Sequence, residues 1–136
     1  MTRPVSFSHR VRIYWEDTDA GGVVFYANYL KFFERARTEW LRSLGIDQSR
    51  LREETGGMFV VTETQVRYLQ PARLDDQLRV TARLLEPGRV SLAISQQAFA
   101  QDGRLLSEGT IRIAWVEAAT LRPARMPSSV LQALQQ

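Results

Sequence analysis

The chain has 136 residues, 44% hydrophobic and 24% charged, which suits a single domain over 1–136 with a core of its own and excludes a disordered or low-complexity chain. With no cysteine, a disulfide, a thiolate metal site and a cysteine nucleophile are all excluded. The net charge of +3 is mostly arginine, spread along the chain without a basic block, which favours a phosphate-bearing small ligand over nucleic acid.

The opening residues Met1 to Ser8 lack the apolar core of a signal peptide. No run approaches the ~18 apolar residues of a membrane span, so a cytoplasmic protein without a transmembrane segment is expected. His9 to Tyr14 reads as a first strand, Val11 and Ile13 alternating with Arg10 and Arg12. Next comes an acidic turn, Trp15 to Val23, with Gly21-Gly22 in it. Apolar residues at Tyr29, Phe32, Phe33, Ala36, Trp40, Leu41 and Leu44 then define one face of a helix expected over Tyr26–Leu44, with Lys31, Glu34, Arg35, Thr38 and Arg42 on the other. Gly45 and Ile46 should end it, the glycine in the left-handed conformation and the isoleucine as its apolar follower. Glu34 and Glu39 are expected in solvent or paired with Arg37 and Arg42.

Asp47 to Gly57 is polar and reads as an irregular connection. From Phe59 the period becomes two. Val60, Thr62, Thr64, Val66 and Tyr68 should share one side, and Pro71 stops the strand. Leu78 to Leu84 and Val90 to Ala98 continue the alternation around a turn at Glu86-Pro87-Gly88-Arg89, and Asp102-Gly103 marks a hairpin into a last strand over Leu105–Val116. The proline-rich tail should run extended to a short helix capped by Ser128 and ending near Leu134. Strand, long helix and four strands make an α+β fold, an antiparallel β-sheet wrapped around one long α-helix.

The acidic turn carries the chemistry. Glycines at 21 and 22 clear the backbone just before a helix, so a ligand can approach N–H groups at its start. A carboxylate beside an electrophile held by such amides is a workable acyl-transfer site, with Asp19 as base or nucleophile and the amide near Tyr26 polarising a carbonyl. A Ser-His-Asp triad would have to use His9, the one histidine, at a strand start. A metal on Asp17 and Asp19 lacks evident further oxygen ligands nearby, and no phosphate-loop spacing accompanies the glycines.

These residues resemble the hotdog-fold acyl-CoA thioesterases of the 4-hydroxybenzoyl-CoA thioesterase family, in particular the YbgC-type branch associated with the Tol-Pal system. The likeness lies in Tyr14-Trp15-Glu16-Asp17-Thr18-Asp19-Ala20-Gly21-Gly22-Val23-Val24, in Phe33-Glu34-Arg35-Ala36-Arg37-Thr38-Glu39, and in Tyr68 to Asp76, and it covers nearly the whole chain in order. The resemblance implies hydrolysis of an acyl-CoA thioester with no metal or nucleotide cofactor, coenzyme A being part of the substrate. It places the catalytic carboxylate on Asp19, the thioester-holding backbone amide on Tyr26, and substrate-binding positions at Gly21, Gly22, Val23 and Tyr29. Arginines should meet the coenzyme's phosphates, with Arg73 and Arg89 as candidates beside Arg122 and Arg125. A homo-oligomer, a dimer or a dimer of dimers, is implied as well. Acyl carrier protein is an alternative acyl donor, which a broad basic patch would favour because the carrier is acidic. A non-catalytic acyl-CoA-binding or envelope-associated module is the alternative from outside enzymes. One position departs from the branch, which commonly has histidine where this chain has Tyr26. A tyrosine, with its ordinary pKa of about 10, does not replace histidine as a base, and short, long and aromatic acyl groups all stay open as substrates.

Overall fold

The computed structural model describes residues 7–135, so the two ends of the domain expected over 1–136 lie outside the described residues. Five antiparallel strands form one sheet: β1 (Phe7–Arg12), β2 (Gly57–Tyr68), β3 (Gln77–Pro87), β4 (Ser91–Phe99) and β5 (Leu105–Glu117), in the spatial order β1-β3-β4-β5-β2. The consecutive hairpins of β3, β4 and β5 form the middle. The strands that flank the long helix in sequence, β1 and β2, become the two edges.

That helix, α1 (Asn28–Ser43), lies on one face of the sheet and buries the stripe expected of it: Tyr29, Phe32, Phe33, Ala36, Trp40 and Leu41. Each large apolar side chain taken out of water there contributes roughly 1.5–3 kcal/mol. The helix ends as its sequence indicates. Gly45 has φ +82°, its N–H donates to the Arg42 carbonyl, and the Ile46 N–H reaches back to Leu41, the paired bonds of a Schellman turn. At the other end α1 begins two residues later than expected, because residues 25–27 form a separate turn in which the Asn28 N–H donates to the Phe25 carbonyl. β1 likewise stops at Arg12, short of Tyr14, and a single 3₁₀ turn over Trp15–Asp17 follows.

Four further expectations are corrected. The connection after α1 is a helix, α2 (Gln48–Thr55), capped by the Asp47 side chain on the Arg50 N–H and stopped by left-handed Gly56. None of its residues is buried, so no apolar period betrays it; its two caps hold the signal. In β2 the register shifts between Val61 and Glu63. Phe59 and Val61 pair with Trp115 and Ile113, but Thr64, Val66 and Tyr68 pair with Ile111, Gly109 and Ser107. The bulge at Thr62 therefore moves Val60 to the other face from Thr64, Val66 and Tyr68. In the last helix, α3 (Ser128–Leu134), Pro127 holds the capping position and Ser128 is the first helical residue, without a capping bond. Finally, Glu39 does pair with Arg42, but Arg37 turns inward, donating from Nη1 to Gln96 Oε1 at 2.9 Å.

α1 packs over β1 and β3. Its other flank, toward β2, stays open, and the apolar groups there are exposed: Val61 51%, Tyr68 46%, Leu69 42% and Leu30 42%. Among the described residues no helix is long and apolar enough to cross a membrane.

Candidate active site

The segment between β1 and α1 folds into a small hairpin whose hydrogen bonds sort its two aspartates. Asp17 is 8% exposed. Its Oδ2 accepts the Tyr14 N–H at 2.8 Å, and its carbonyl accepts the Phe25 N–H at 3.0 Å and the Asn28 amide at 2.8 Å. Its Oδ2 closes the 3₁₀ turn, and its backbone ties the turn to the start of α1. Asp19 sits at the hairpin tip, where the Asp19 N–H donates to Val23 and the Gly22 N–H donates to Asp19, while Thr18 pairs with Val24. Its side chain is exposed, with Oδ1 held by the Gly21 N–H at 2.8 Å. Among the described residues no cation pairs with it.

Each glycine has its own reason to be there. Gly22 has φ +79°, a conformation that costs other residues roughly 1–2 kcal/mol. A Cβ on Gly21 would stand 3.2 Å from Asp19 Oδ1, crowding the carboxylate. Beyond the hairpin base, the Asn28, Tyr29 and Leu30 amides donate to Phe25, Tyr26 and Ala27. The Tyr26 N–H has no acceptor among the described residues, and α1 has neither a capping side chain nor an acid in its first turn. With the first three helical amides spent on these bonds, the Tyr26 N–H is left to meet an oxygen beside the positive end of the helix dipole. Asp19 at the tip and Tyr26 past the base are thus a few ladder steps apart, each about 3.4 Å.

The loop from Leu69 to Asp76 braces this hairpin. Val23 pairs with Arg73, the Val24 N–H donates to Ala72 at 2.8 Å, and the Ile13 N–H donates to Asp76 at 2.9 Å. Asp76 Oδ2 accepts the Arg73 N–H at 2.8 Å, a brace that the sequence announces only as part of the Tyr68-to-Asp76 run. Arg73 itself is exposed beside Val23. Arg89 is exposed too, but past the far end of β3, where its carbonyl accepts the Met126 N–H. Eleven strand residues at about 3.3 Å each put it some 30 Å away, so the two arginines do not converge within one chain.

Tyr29 is 3% exposed, and among the described residues its hydroxyl has no hydrogen-bond partner. Burial pushes its pKa up; the nearby Ala72 backbone works against that, and Asp76 and Tyr68 add to it. Tyr29 belongs to an aromatic cluster that composition alone does not reveal. Its ring lies 5.7 Å from Tyr68 and 5.8 Å from Phe32, and Tyr68 meets Tyr26 edge-on at 5.8 Å. Tyr26 is 61% exposed and Phe25 42%, so one end of the cluster is open. Burial also raises the Tyr68 pKa, with Tyr26 adding to the effect. Among the described residues no three acidic or histidine side chains converge as a metal site would require.

Comparison with known proteins identifies the family and the fold. Residues 13–134 match the model of the thioesterase-like superfamily. The acyl-CoA thioesterase YbgC of Haemophilus influenzae is 42% identical over 124 residues, 91% of this chain and 90% of that protein. The acyl-CoA thioester hydrolase YbgC of Escherichia coli is 38% identical over 130 residues, 96% of each. Among solved structures, the Aquifex aeolicus protein AQ1494 superposes with a TM-score of 0.87 at 30% identity, covering 94% of this chain and 98% of that one. The family match over residues 13–134 and these relatives place this chain in the thioesterase-like superfamily, as a hotdog-fold thioester hydrolase with the YbgC acyl-CoA thioesterases among its full-length relatives.

Proposed function

We propose that the chain hydrolyses acyl-CoA to a free acid and coenzyme A, using Asp19 as the catalytic carboxylate and the Tyr26 backbone N–H to polarise the thioester carbonyl. The observation that carries this reading is an unpaired carboxylate, oriented by the Gly21 N–H, at the tip of a hairpin whose base runs into an uncapped helix start. The thioester oxygen takes the hydrogen bond of Tyr26, and charge developing on it is met by the helix dipole. Asp19 then either removes a proton from an attacking water or attacks the carbonyl carbon itself. The first route gives the acid directly. The second gives an anhydride that water opens, and in both the C–S bond breaks and the thiolate of coenzyme A leaves. No metal or nucleotide cofactor is needed, and the reaction suits a cytoplasmic protein.

In this reading Gly21, Gly22 and Val23 contact the thioester end, Tyr29 borders the acyl group, and Arg73 receives a coenzyme phosphate. Arg89 would serve a substrate held on a neighbouring copy. The exposure of Asp19 and of the aromatic cluster supports a homo-oligomer in which the open edge of β2 meets a second copy and water is excluded from the site. Arranged so, a dimer completes the enclosure, and a dimer of dimers extends it.

Acyl carrier protein as acyl donor is a second reading, favoured by one surface. On the outer face of the β1–β3 edge Arg10 stands directly opposite Arg79, with Arg12 and Arg83 along the same two strands. Like charges facing across strands cost stability, and among the described residues none of these four is in an ion pair. Such a face suits an acidic protein.

Thiol release from a panel of acyl-CoAs tests the first reading, the same panel carried on acyl carrier protein tests the second, and Asp19→Asn is run beside the wild type. The first predicts turnover that the variant lacks. Ligand binding with no turnover by the wild type would instead identify a non-catalytic acyl-CoA-binding module.

A further inference from the structure

Because α1 packs over β1 and β3, a groove is left between its other flank and β2. The strand runs along the helix in the opposite direction. Tyr68 meets Tyr26 and Tyr29 at the helix start, whereas Phe59 and Val61 face the stretch from Glu34 to Leu41. At that second place the groove deepens into a cavity of about 150 Å³, whose lining includes Glu34, Arg37, Thr38, Phe59, Val61 and Ile113. From Asn28, where α1 starts, to Arg37 is nine residues, about 14 Å along the axis.

Arg37 is the unusual member of that lining. It is 8% exposed, and its one side-chain hydrogen bond among the described residues goes to a neutral acceptor, Gln96 Oε1. Gln96 is fully buried and cannot turn to offer more, since its Nε2 donates to the Phe33 carbonyl at 2.9 Å and to the Thr81 carbonyl at 3.1 Å. A guanidinium has five N–H donors, so most of this one's capacity is unspent beside an open cavity. Burial lowers the Arg37 pKa, and Glu34 opposes the shift, yet no carboxylate reaches ion-pair distance among the described residues. A cation buried against a neutral partner alone is costly, and an anion entering the cavity would offset that cost.

Resting on the acyl-CoA reading above, we infer that this cavity receives the far end of the acyl group and that Arg37 selects acyl chains ending in a carboxylate. The thioester sits at the start of α1, the chain follows the groove past Tyr68, and the terminal carboxylate accepts from the free guanidinium donors. Glu34, exposed at the rim one turn earlier, weakens this preference by repulsion and sets its size.

The test uses three acyl-CoAs of equal chain length, ending in methyl, hydroxyl or carboxylate, with calorimetric binding to Asp19→Asn and thiol release by the wild type. The carboxylate-ended compound should bind about tenfold tighter than the methyl-ended one, as expected for a charge-assisted contact. Arg37→Met should bring that ratio to one or below, and Glu34→Gln should raise it. A ratio of one or below in the unaltered cavity overturns the inference even if Arg37→Met fails to fold, and so does a ratio that Arg37→Met leaves intact. Turnover without carboxylate preference removes the inference and leaves the enzymatic reading standing. Carboxylate-selective binding without turnover does the reverse.

Discussion

The two flanks of α1 meet different strands and are put to different uses. On the β1–β3 side, Phe32, Phe33, Val11, Ile13, Leu78 and Val80 are all nearly or fully buried, and that side carries the stability of the fold. On the β2 side, Val61, Tyr68 and Leu30 stand exposed, an aromatic cluster opens at the helix start, and Arg37 is buried without a counter-ion among the described residues. The flank that meets β1 and β3 is closed into a core, and the flank that carries Glu34, Arg37 and Thr38 toward β2 is left open. A helix face is thus committed to packing or to binding by what lies across from it, which its own period cannot state.

The contrast can be broken from the sealed side first. Phe33→Ala removes a fully buried ring and should cost about 3–5 kcal/mol of stability, read as a lower midpoint in denaturant unfolding. The sealed start of β2, away from the open stretch of that strand, is a second place: Gly57→Ala would press a Cβ to within 2.3 Å of the Trp115 ring. Overpacking of that kind should cost about 1–3 kcal/mol, again as a lower unfolding midpoint. Both should spare the chemistry of any molecules that stay folded.

The open side should respond in the opposite way. Val61→Lys places a charge on the exposed edge strand. It should leave the unfolding midpoint within about 0.5 kcal/mol while reducing the mass seen by light scattering toward that of one 15.6 kDa chain. A wild type that already scatters at that mass would remove the second copy from the account.

The smallest effect is expected at Tyr29→Phe. It deletes a buried hydroxyl that has no partner among the described residues, so stability near neutral pH should be unchanged or slightly higher. Because burial raises the Tyr29 pKa above its ordinary value of 10.0, the unfolded chain ionises first as pH rises. Wild-type stability should therefore hold below pH 10 and fall above it. Tyr29→Phe should show less of that alkaline loss, which unfolding midpoints across the range would measure.

How far the sequence foretells all this depends on whether a feature is periodic. The α1 stripe and its Gly45-Ile46 end are local patterns, and the structure bears them out. The Thr62 bulge is invisible because the alternation of residue types runs straight through it, and the flip shows only in the pairing with β5. α2 is missed because its stability comes from caps and not from an apolar face. Asp17 and Asp19 look equivalent in the chain, and only the Tyr14 and Gly21 amides distinguish a structural carboxylate from an available one. Arg37 reads as a surface residue until Gln96, fifty-nine positions away, draws it inward.

The most direct measurement of the central claim is hydrolysis of acyl-CoA by Asp19→Asn, followed as released thiol against the wild type, with the unfolding midpoint recorded for both. The account predicts a loss of roughly 10²–10⁴ in rate with the midpoint unchanged, since Asp19 is exposed and its one accepted side-chain bond, from Gly21, can be kept by the asparagine oxygen. Equal rates from the two proteins would contradict it.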